Sequence, residues 1–373
     1  MAGIYIHVPF CFTRCGYCDF YKTTKLDQMD PYFESLKNEI SIRSSDFSMT
    51  VDTVYLGGGT PSLLSRDRIG ELSNWLHEHF NFSSSVEWTI EVNPDDITPL
   101  YLTSLLETGF NRLSIGIQSF NDEDLRQMGR RHNAKQAMEA IKAAQSAGFK
   151  NISIDLIYGL PWSNEEMFAK NLKIMQYLSV QHLSAYHLIF EAGTQFHTLL
   201  KKGIYKEVED ESSLNQYYML RMAAKEAGFT HYELSNFCQP NFESKHNSSY
   251  WSGEPYIGFG PGSHSFYNNI RSWNKGNLGL YNAQKYELIY EKEELTSKDA
   301  YNELIMLGLR TSKGVDLSKV RTEFTHYYDQ LLAESERRIA QNHLIIENDF
   351  LKCTPEGWFL SDAIIQELFL LNG

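Results

Sequence analysis

The chain has 373 residues, enough for one large α/β domain and a smaller companion domain. Asp and Glu number 47 against 34 Lys and Arg, so the formal net charge is −13 and a nucleic-acid partner is not expected. No run approaches the roughly 18 apolar residues that span a bilayer, and the amino terminus does not read as a signal peptide. We therefore expect a cytoplasmic protein that is not integral to a membrane.

Six short apolar segments alternate with helical segments up to about residue 190. This pattern is typical of βα units around a parallel sheet, whose buried strands are short and apolar. The expected strands are residues 3–8, 52–57, 86–92, 111–117, 150–157 and 181–188.

Capping residues mark the helix ends between these strands. Thr98 followed by Pro99 predicts a helix start, because a threonine side chain caps free N–H groups and proline suits the first turn. By the same reasoning we expect helix starts at Asp30 with Pro31, at Asn133 and at a capping box of Ser163 with Glu166, and helix ends at Gly148 and Gly228, the last closing a helix from about Leu214 to Ala227.

Polar or glycine-rich residues follow every expected strand. In strand order they are Cys11 with its neighbours, residues 57–61, residues 91–94, Gln118, Asp155, and His187 with Glu191. A barrel of βα units delivers such side chains to one rim, at the carboxyl ends of its strands. We therefore favour a partial barrel of six βα units over a flat doubly wound sheet.

Three of the five cysteines, Cys11, Cys15 and Cys18, form a C-x3-C-x2-C pattern directly after the first strand. A disulfide framework does not have this spacing, whereas three thiolates on one loop can hold a metal centre. Zinc would need a fourth ligand such as His7. A [4Fe-4S] cluster would keep one iron open for a chelating ligand. Cys238 and Cys353 stand alone and are expected to be ordinary buried thiols.

These segments together resemble the radical S-adenosylmethionine (SAM) superfamily, and within it the group related to oxygen-independent coproporphyrinogen III oxidase. The matching segments are residues 5–11, 18–20, 57–61, 91–94, 115–120 and 155–161. The resemblance implies a partial (βα)6 TIM-like barrel with a [4Fe-4S] cluster on Cys11, Cys15 and Cys18. It also implies that SAM chelates the open iron and that an electron donor is needed if SAM is cleaved.

The residue chemistry fits a SAM site. Glycines let the backbone approach the ligand, Glu91, Gln118 and Asp155 offer acceptors for its ammonium and hydroxyl groups, and Arg130 could pair with its carboxylate. By resemblance, Tyr5 lies near the methionyl part and Tyr17 near the adenine. The expected SAM residues are Tyr5, Tyr17, Gly58, Gly59, Thr60, Glu91, Gln118, Arg130 and Asp155.

The second half of the chain loses the βα repeat. The glycine- and proline-rich residues 256–266 predict tight turns over the open side of the barrel. From Ser297 we expect about three helices and a hairpin through residues 350–359 with Pro355 and Gly357 at its turn, an order that resembles a winged helix. Eight basic against twelve acidic residues from Lys298 onward argue against DNA binding by this segment.

This pattern gives three expected domains. They are residues 1–230 as the barrel with the cluster loop, 231–296 as a connecting region, and 297–373 as a mostly helical, winged-helix-like domain.

Two relatives within the group compete. The decarboxylating oxidases tend to carry a fourth cysteine, where this chain has Phe20, and an N-terminal extension, whereas this sequence is expected to start directly on the first strand. The haem chaperones of the HemW type carry His-Asn-x-x-Tyr-Trp, which matches His246, Tyr250 and Trp251. Imidazole is a common haem ligand, and the two aromatic side chains could pack on the macrocycle.

We therefore predict a protein that binds haem, a [4Fe-4S] cluster and SAM and that transfers haem to acceptors such as respiratory enzymes. A coproporphyrinogen III decarboxylase is the alternative. His187, His264 and Cys238 are further conceivable haem ligands.

Overall fold

The computed structural model describes residues 1–370, which form one large open sheet with its helices and a smaller C-terminal unit. Six parallel strands in chain order build the first half, and each predicted strand is found within a few residues of its expected bounds. They are β1 Gly3–Val8, β2 Val51–Gly58, β3 Phe82–Val92, β4 Arg112–Gln118, β5 Asn151–Tyr158 and β6 His182–His187.

The strands alternate in burial, which separates two faces of the sheet. Ile4, Ile6 and Val8 of β1 are fully buried against the helical layer, whereas Tyr5 and His7 face the concave side. The concave side is therefore polar, and the apolar core lies between the sheet and its outer helices.

Helices follow the strands as expected. In the first two thirds of the chain they are α1 Met29–Arg43, α2 Arg66–His79, α3 Pro99–Glu107, α4 Asp122–Met128, α5 Ala134–Ala147, α6 Glu165–Leu178, α7 Gln195–Lys201, α8 Asp210–Glu226 and α9 Lys245–Trp251. Thr98 and Asn133 cap their helices as predicted, and Gly148 ends α5 with a φ of 111°.

Two of the predicted helix starts are wrong by a residue or more. The side chain that caps α6 belongs to Asn164, which accepts from the Met167 N–H, so Ser163 and Glu166 do not form a capping box. Asn164 and not Ser163 caps the helix, because from the capping position its side-chain carbonyl reaches the third N–H of the helix. Helix α1 begins at Met29, so Asp30 lies in its first turn, where its charge favours the helix dipole.

Residues 230–294 extend the same sheet, which corrects the expectation of turns covering the barrel. The added strands are β7 Thr230–Glu233, β8 Asn236–Cys238, β9 Tyr256–Phe259, β10 His264–Tyr267, β11 Ile270–Asn274 and β12 Tyr290–Glu294, with α10 Leu278–Asn282. Strand β9 pairs in parallel with β1, and β8 pairs antiparallel with β6. Gly260, Pro261 and Gly262 lie in the short connection between β9 and β10, and both of these glycines have positive φ.

The sheet order is β12-β11-β10-β9-β1-β2-β3-β4-β5-β6-β8-β7, so within residues 1–370 the sheet does not close on itself. The predicted fold class, a partial barrel of six βα units with a C-terminal helical domain, is confirmed. The predicted boundaries after residues 230 and 296 stay a prediction, although the sheet continues across the first of them.

The buried carboxylate of Glu39 ties the added strands to helix α1. It accepts hydrogen bonds from the Gly260 N–H at 2.9 Å, from Asn274 at 2.7 Å and from the Tyr281 hydroxyl at 2.7 Å. Arg43 donates to it from one helical turn away at 2.7 Å. Because this buried charge is fully hydrogen-bonded, it holds three late segments of the chain in fixed positions.

The C-terminal unit has its own apolar core and a small sheet of order β13-β15-β14. Its elements are α11 Ser297–Leu309, β13 Val315–Asp316, α12 Leu317–Glu323, α13 Thr325–Ala340, β14 Leu344–Glu347, β15 Phe350–Cys353, α14 Pro355–Phe359 and α15 Ser361–Leu368. The last three residues of the predicted domain 297–373 lie outside the described part.

The three helices are confirmed, but the hairpin lies earlier than predicted. Its turn is Asn348 and Asp349, which both have positive φ as a tight two-residue turn requires. Pro355 instead opens α14, with Thr354 as its cap. Among residues 1–370, no helix is long and apolar enough to cross a bilayer.

Candidate functional site

A cavity of about 410 Å³ opens at the carboxyl ends of the parallel strands. It brings together the three cysteines of the loop and eight of the nine expected SAM residues, namely Tyr17, Gly58, Gly59, Thr60, Glu91, Gln118, Arg130 and Asp155. His187 and Glu191, which the sequence also placed after a strand, line it as well. Tyr5, His246, Tyr250 and Trp251 do not line it. The position of the cavity is the one that barrels of βα units use for their ligands.

Each cysteine of the loop after β1 has a hydrogen-bond donor or a cation beside it. Thr60 Oγ1 donates to Cys11 Sγ and Arg130 Nη1 donates to Cys15 Sγ, both at 3.5 Å. Lys22 Nζ donates to the Cys18 carbonyl at 2.6 Å, and its charge lowers the pKa of the Cys18 thiol, which burial raises. Burial raises the pKa of the Cys11 and Cys18 thiols, and the Thr60 hydroxyl and the Lys22 charge partly offset that rise. Three cysteines on one short loop, with these donors beside them, are a donor set that fits an iron–sulfur cluster.

Two glycines bring the backbone of the loop after β2 close to the cysteine loop. A Cβ at Gly59 would lie 2.7 Å from the Phe10 carbonyl oxygen. Gly58 has a φ of 106°, and a Cβ there would meet the His7 ring at 2.6 Å. Only glycine fits at either position, which explains the run of glycines that the sequence places after this strand.

Glu91 is the next-to-last residue of β3, and it lines the cavity. The Tyr55 hydroxyl donates to one oxygen of the Glu91 carboxylate at 2.9 Å and the Gly58 N–H donates to the other at 3.2 Å. Burial raises the pKa of Glu91 to about 7, and the charge of Asp155 contributes to this rise. A carboxylate that is costly to ionise has a strong preference for a cationic ligand, such as an ammonium group.

Asp155 faces the same cavity from β5, two strands away. The register places Glu91 beside Ser114 and Asp155 beside Ser184. Ser114 donates to Asp155 at 3.3 Å, and burial raises the pKa of Asp155 to about 6. Two carboxylates of this kind on one cavity suit a ligand with an ammonium group and hydroxyl groups.

Gln118 and Arg130 complete the rim at the end of β4. Gln118 has a φ of 68°, a strained left-handed conformation for a residue that is not glycine. Arg130 Nη2 donates to Asn93 Oδ1 at 2.6 Å and to the Gly116 carbonyl at 2.7 Å. Arg130 is therefore held in place mainly by the protein, next to the cysteine loop.

Helix α9, which carries the His-Asn-x-x-Tyr-Trp motif, packs against β2 on the concave side of the sheet, away from the rim. His246 is only 1% exposed, and both of its ring nitrogens are hydrogen-bonded, Nδ1 to Thr53 Oγ1 and Nε2 to the Tyr250 hydroxyl, each at 2.8 Å. Burial lowers its pKa to about 3, so the ring is neutral. We call α9 the floor helix because Asn247, the next residue, lines the cavity.

The other sequence-predicted residues outside the cavity surround this histidine. Tyr5 stacks on Tyr55 with ring centroids 6.2 Å apart, and its hydroxyl is hydrogen-bonded to His7 at 3.1 Å. Trp251 is half-buried beside Glu233, whose pKa burial raises to about 7. The structure thus groups the SAM residues other than Tyr5 at the rim, together with His187, and the haem residues His246, Tyr250 and Trp251 at the floor.

Sequence reasoning missed several residues that line the cavity. Tyr55 and Ser114 each lie two residues before a glycine of a recognised segment, Gly57 and Gly116. Residues two apart on a strand face the same side of the sheet, so these two positions could have been found from the sequence. Arg112 and Asn247 gave no signal, because one begins a strand and the other lies inside a motif read for its histidine and aromatic residues.

The comparisons with known proteins agree with this geometry. Residues 5–175 match the model of the radical SAM superfamily, and residues 295–360 match the model of the HemN C-terminal domain. The fold and the cysteine-lined cavity therefore define a radical SAM protein, which holds a [4Fe-4S] cluster and binds SAM.

Relatives narrow this class further. The chain is 33% identical to the haem chaperone HemW of Lactococcus lactis, covering 98% of this chain and 97% of that protein, and 34% identical to HemW of Bacillus subtilis with 98% of each covered. The chain belongs to the HemW family of haem chaperones.

The solved structure of Escherichia coli coproporphyrinogen III oxidase, HemN, is also similar. The TM-score is 0.86 at 25% identity over 98% of this chain and 89% of that one.

Proposed function

We propose that this protein is a cytoplasmic haem chaperone that binds haem and passes it to haem-requiring acceptors such as respiratory enzymes. The main support is that relatives named as haem chaperones match nearly the whole of this chain at 33 and 34% identity. The open, cysteine-lined cavity supports the use of the cluster and SAM in the same protein.

The residues at the rim bind different parts of the cluster and of SAM. Cys11, Cys15 and Cys18 hold the cluster, which supplies one electron to SAM when a donor protein has reduced it. Glu91 binds the ligand's ammonium group, and Asp155 orients its hydroxyl groups. Tyr17, half-buried beside the cysteines, packs against the adenine.

The haem residues that the motif implies are His246, Tyr250 and Trp251. Because Thr53 and Tyr250 occupy both ring nitrogens of His246, the ring must leave at least one of them before it can bind iron. We therefore propose that His246 binds haem when α9 moves away from β2.

The decarboxylase remains the second candidate because of the similarity to the Escherichia coli enzyme. A single experiment separates the two. Anaerobically reconstituted protein is titrated with haem, and in parallel it is incubated with coproporphyrinogen III, SAM and a reductant. We expect about one haem bound per chain and no protoporphyrinogen; no haem uptake together with protoporphyrinogen formation would replace the chaperone by the decarboxylase.

The haem site has its own test with a matched pair of variants. His246→Ala should abolish or greatly weaken haem binding and leave the cluster absorbance intact. Thr53→Val removes one of the hydrogen bonds that hold His246 in place, so it should keep or strengthen haem binding. Equal haem affinity in the wild-type protein and the His246→Ala variant would remove His246 from the haem site.

A further inference from the structure

Arg112 is a buried cation for which the SAM site provides no role. It begins β4, and its side chain is 1% exposed, the largest fully buried side chain among the described residues. It nevertheless lines the cavity. Within residues 1–370 its Nε has no hydrogen-bond partner, and no hydrogen bond or ion pair involves its guanidinium group.

Burying the Nε N–H of a guanidinium without a partner is costly. The nearby carboxylates do not compensate through direct contact. Glu91 is held by Tyr55 and Gly58, and Asp155 is held by Ser114. Arg112 acts on both only through its charge, which lowers the pKa of each carboxyl.

The groups on the other side of Arg112 cannot neutralise it either. His182 and His246 are buried and neutral, and the charge of Arg112 helps to lower the pKa of both. Asn247 of the floor helix lines the same cavity, and its side-chain amide makes no hydrogen bond within the described residues. Between the rim and the floor, the cavity therefore holds a free cation and a free amide.

We propose that Arg112, together with Asn247, binds a carboxylate group of a ligand that enters the cavity. Two ligands could supply it, the methionyl carboxylate of SAM or a propionate of haem, and the second source rests on the proposed function. Arg130, which the sequence suggested for this role, donates through Nη2 to Asn93 and the Gly116 carbonyl and through Nη1 to Cys15 Sγ, whereas neither Nη group of Arg112 makes a hydrogen bond within residues 1–370. A guanidinium fork is the geometry that carboxylates prefer.

The test compares ligands with and without the carboxylate in two proteins. The ligand pairs are SAM with decarboxylated SAM and haem with haem dimethyl ester, each measured against the wild-type protein and the Arg112→Gln variant. For one of the pairs, the wild-type protein should prefer the carboxylate by about 10- to 100-fold, and Arg112→Gln should lose that preference. The pair that responds identifies the ligand.

Arg131→Gln is the matched control, because Arg131 lines the same cavity but is ion-paired with Asp95 at 2.7 Å and Asp96 at 2.8 Å. The Arg131→Gln variant should prefer the carboxylate-bearing ligand as strongly as the wild-type protein does. Retained cluster absorbance shows that a variant has folded, and Asn247→Ala, expected to reduce the preference in part, replaces Arg112→Gln if that variant does not fold.

The same carboxylate preference in wild-type and Arg112→Gln proteins for both ligand pairs would overturn the proposal. Absence of haem binding to the wild-type protein would reject the haem function alone, and the SAM pair would still decide the role of Arg112.

Discussion

The rim and the floor of the concave face use similar polar residues in opposite ways. At the rim, Glu91 and Asp155 are half-buried carboxylates with raised pKa values that face the cavity. At the floor, His246 is neutral and fully hydrogen-bonded to Thr53 and Tyr250. The rim is therefore prepared for a ligand, whereas the floor is a closed network that must open before it can bind one.

The largest effect is expected at the cysteine loop. Cys15→Ser should abolish the brown absorbance of the anaerobically reconstituted protein, because three thiolates are the minimum for the cluster. Cys353→Ser is the control, since Cys353 lies in the C-terminal unit and should leave the absorbance unchanged. Iron and sulfide analysis that finds one zinc and no sulfide in the wild-type protein would contradict the assignment.

Next in size is Gly58→Val. The new side chain would meet the His7 ring and would require a φ of 106°, so we expect a loss of about 1–3 kcal/mol in the free energy of unfolding and no measurable SAM binding. Isothermal titration with SAM and urea unfolding measure the two effects. Gly70→Val, at a helical glycine with open space around it, is the control and should keep SAM binding.

At the floor, His246→Ala should lower the free energy of unfolding by about 2–4 kcal/mol, because it deletes a buried ring and two hydrogen bonds. Tyr250→Phe removes only one of those bonds and should cost about 1 kcal/mol. Urea unfolding of the two variants checks the order. A loss below that of Tyr250→Phe would show that the floor is not the closed network described above.

The floor also predicts a pH dependence on the acid side. The folded pKa of His246, about 3, lies below its ordinary value of 6.5, so its contribution to stability is present above pH 6.5 and is lost as the pH falls. Between pH 6.5 and 5, wild-type protein should lose more stability than His246→Ala. The same dependence of unfolding free energy on pH in the two proteins would contradict this.

The rim predicts the opposite dependence of stability on pH. The folded pKa of Glu91, about 7, lies above its ordinary value of 4.5, so its contribution is present below pH 4.5 and is lost as the pH rises through 7. Glu91→Gln should therefore gain stability relative to ligand-free wild-type protein from pH 5 to 8, by up to about 3 kcal/mol.

The same variant should bind SAM more weakly by about 1.5–3 kcal/mol, since it loses a charge-assisted hydrogen bond. In wild-type protein this affinity should fall as the pH drops below 7, where Glu91 becomes protonated. Titrations with SAM at pH 6 and pH 8 check both statements. An affinity that is unchanged in Glu91→Gln would remove Glu91 from the ammonium site.

How far the sequence predicts the molecule differs between these regions. The rim was predictable because strand ends in βα units converge whatever the remaining packing, so Glu91, Gln118 and Asp155 could be grouped from their positions alone. The hydrogen bonds that hold His246 could not be predicted, because the motif has the same sequence whether its histidine is free or hydrogen-bonded. Arg112 was missed because it starts its strand at the end away from the rim.

The second half of the chain was harder to predict from the sequence for a physical reason. Strand β9 reads as a turn region because glycine and proline surround it, and its pairing partner β1 lies about 250 residues earlier in the chain. Pairing at that distance leaves no local pattern. The hairpin turn at Asn348 and Asp349 did have a local signal, in residues that tolerate positive φ, but Pro355 and Gly357 carried the stronger turn composition.

The pairing of β1 with β9 also sets the order in which the chain can fold during synthesis. Until residue 259 has left the ribosome, one edge of β1 is unpaired, and its Tyr-Ile-His-Val sequence resembles an aggregation-prone edge strand. The cysteine loop begins three residues after that strand. Iron loaded before β9 has docked would enter an unfinished domain, so we expect productive cluster insertion to follow, and never precede, completion of the large sheet.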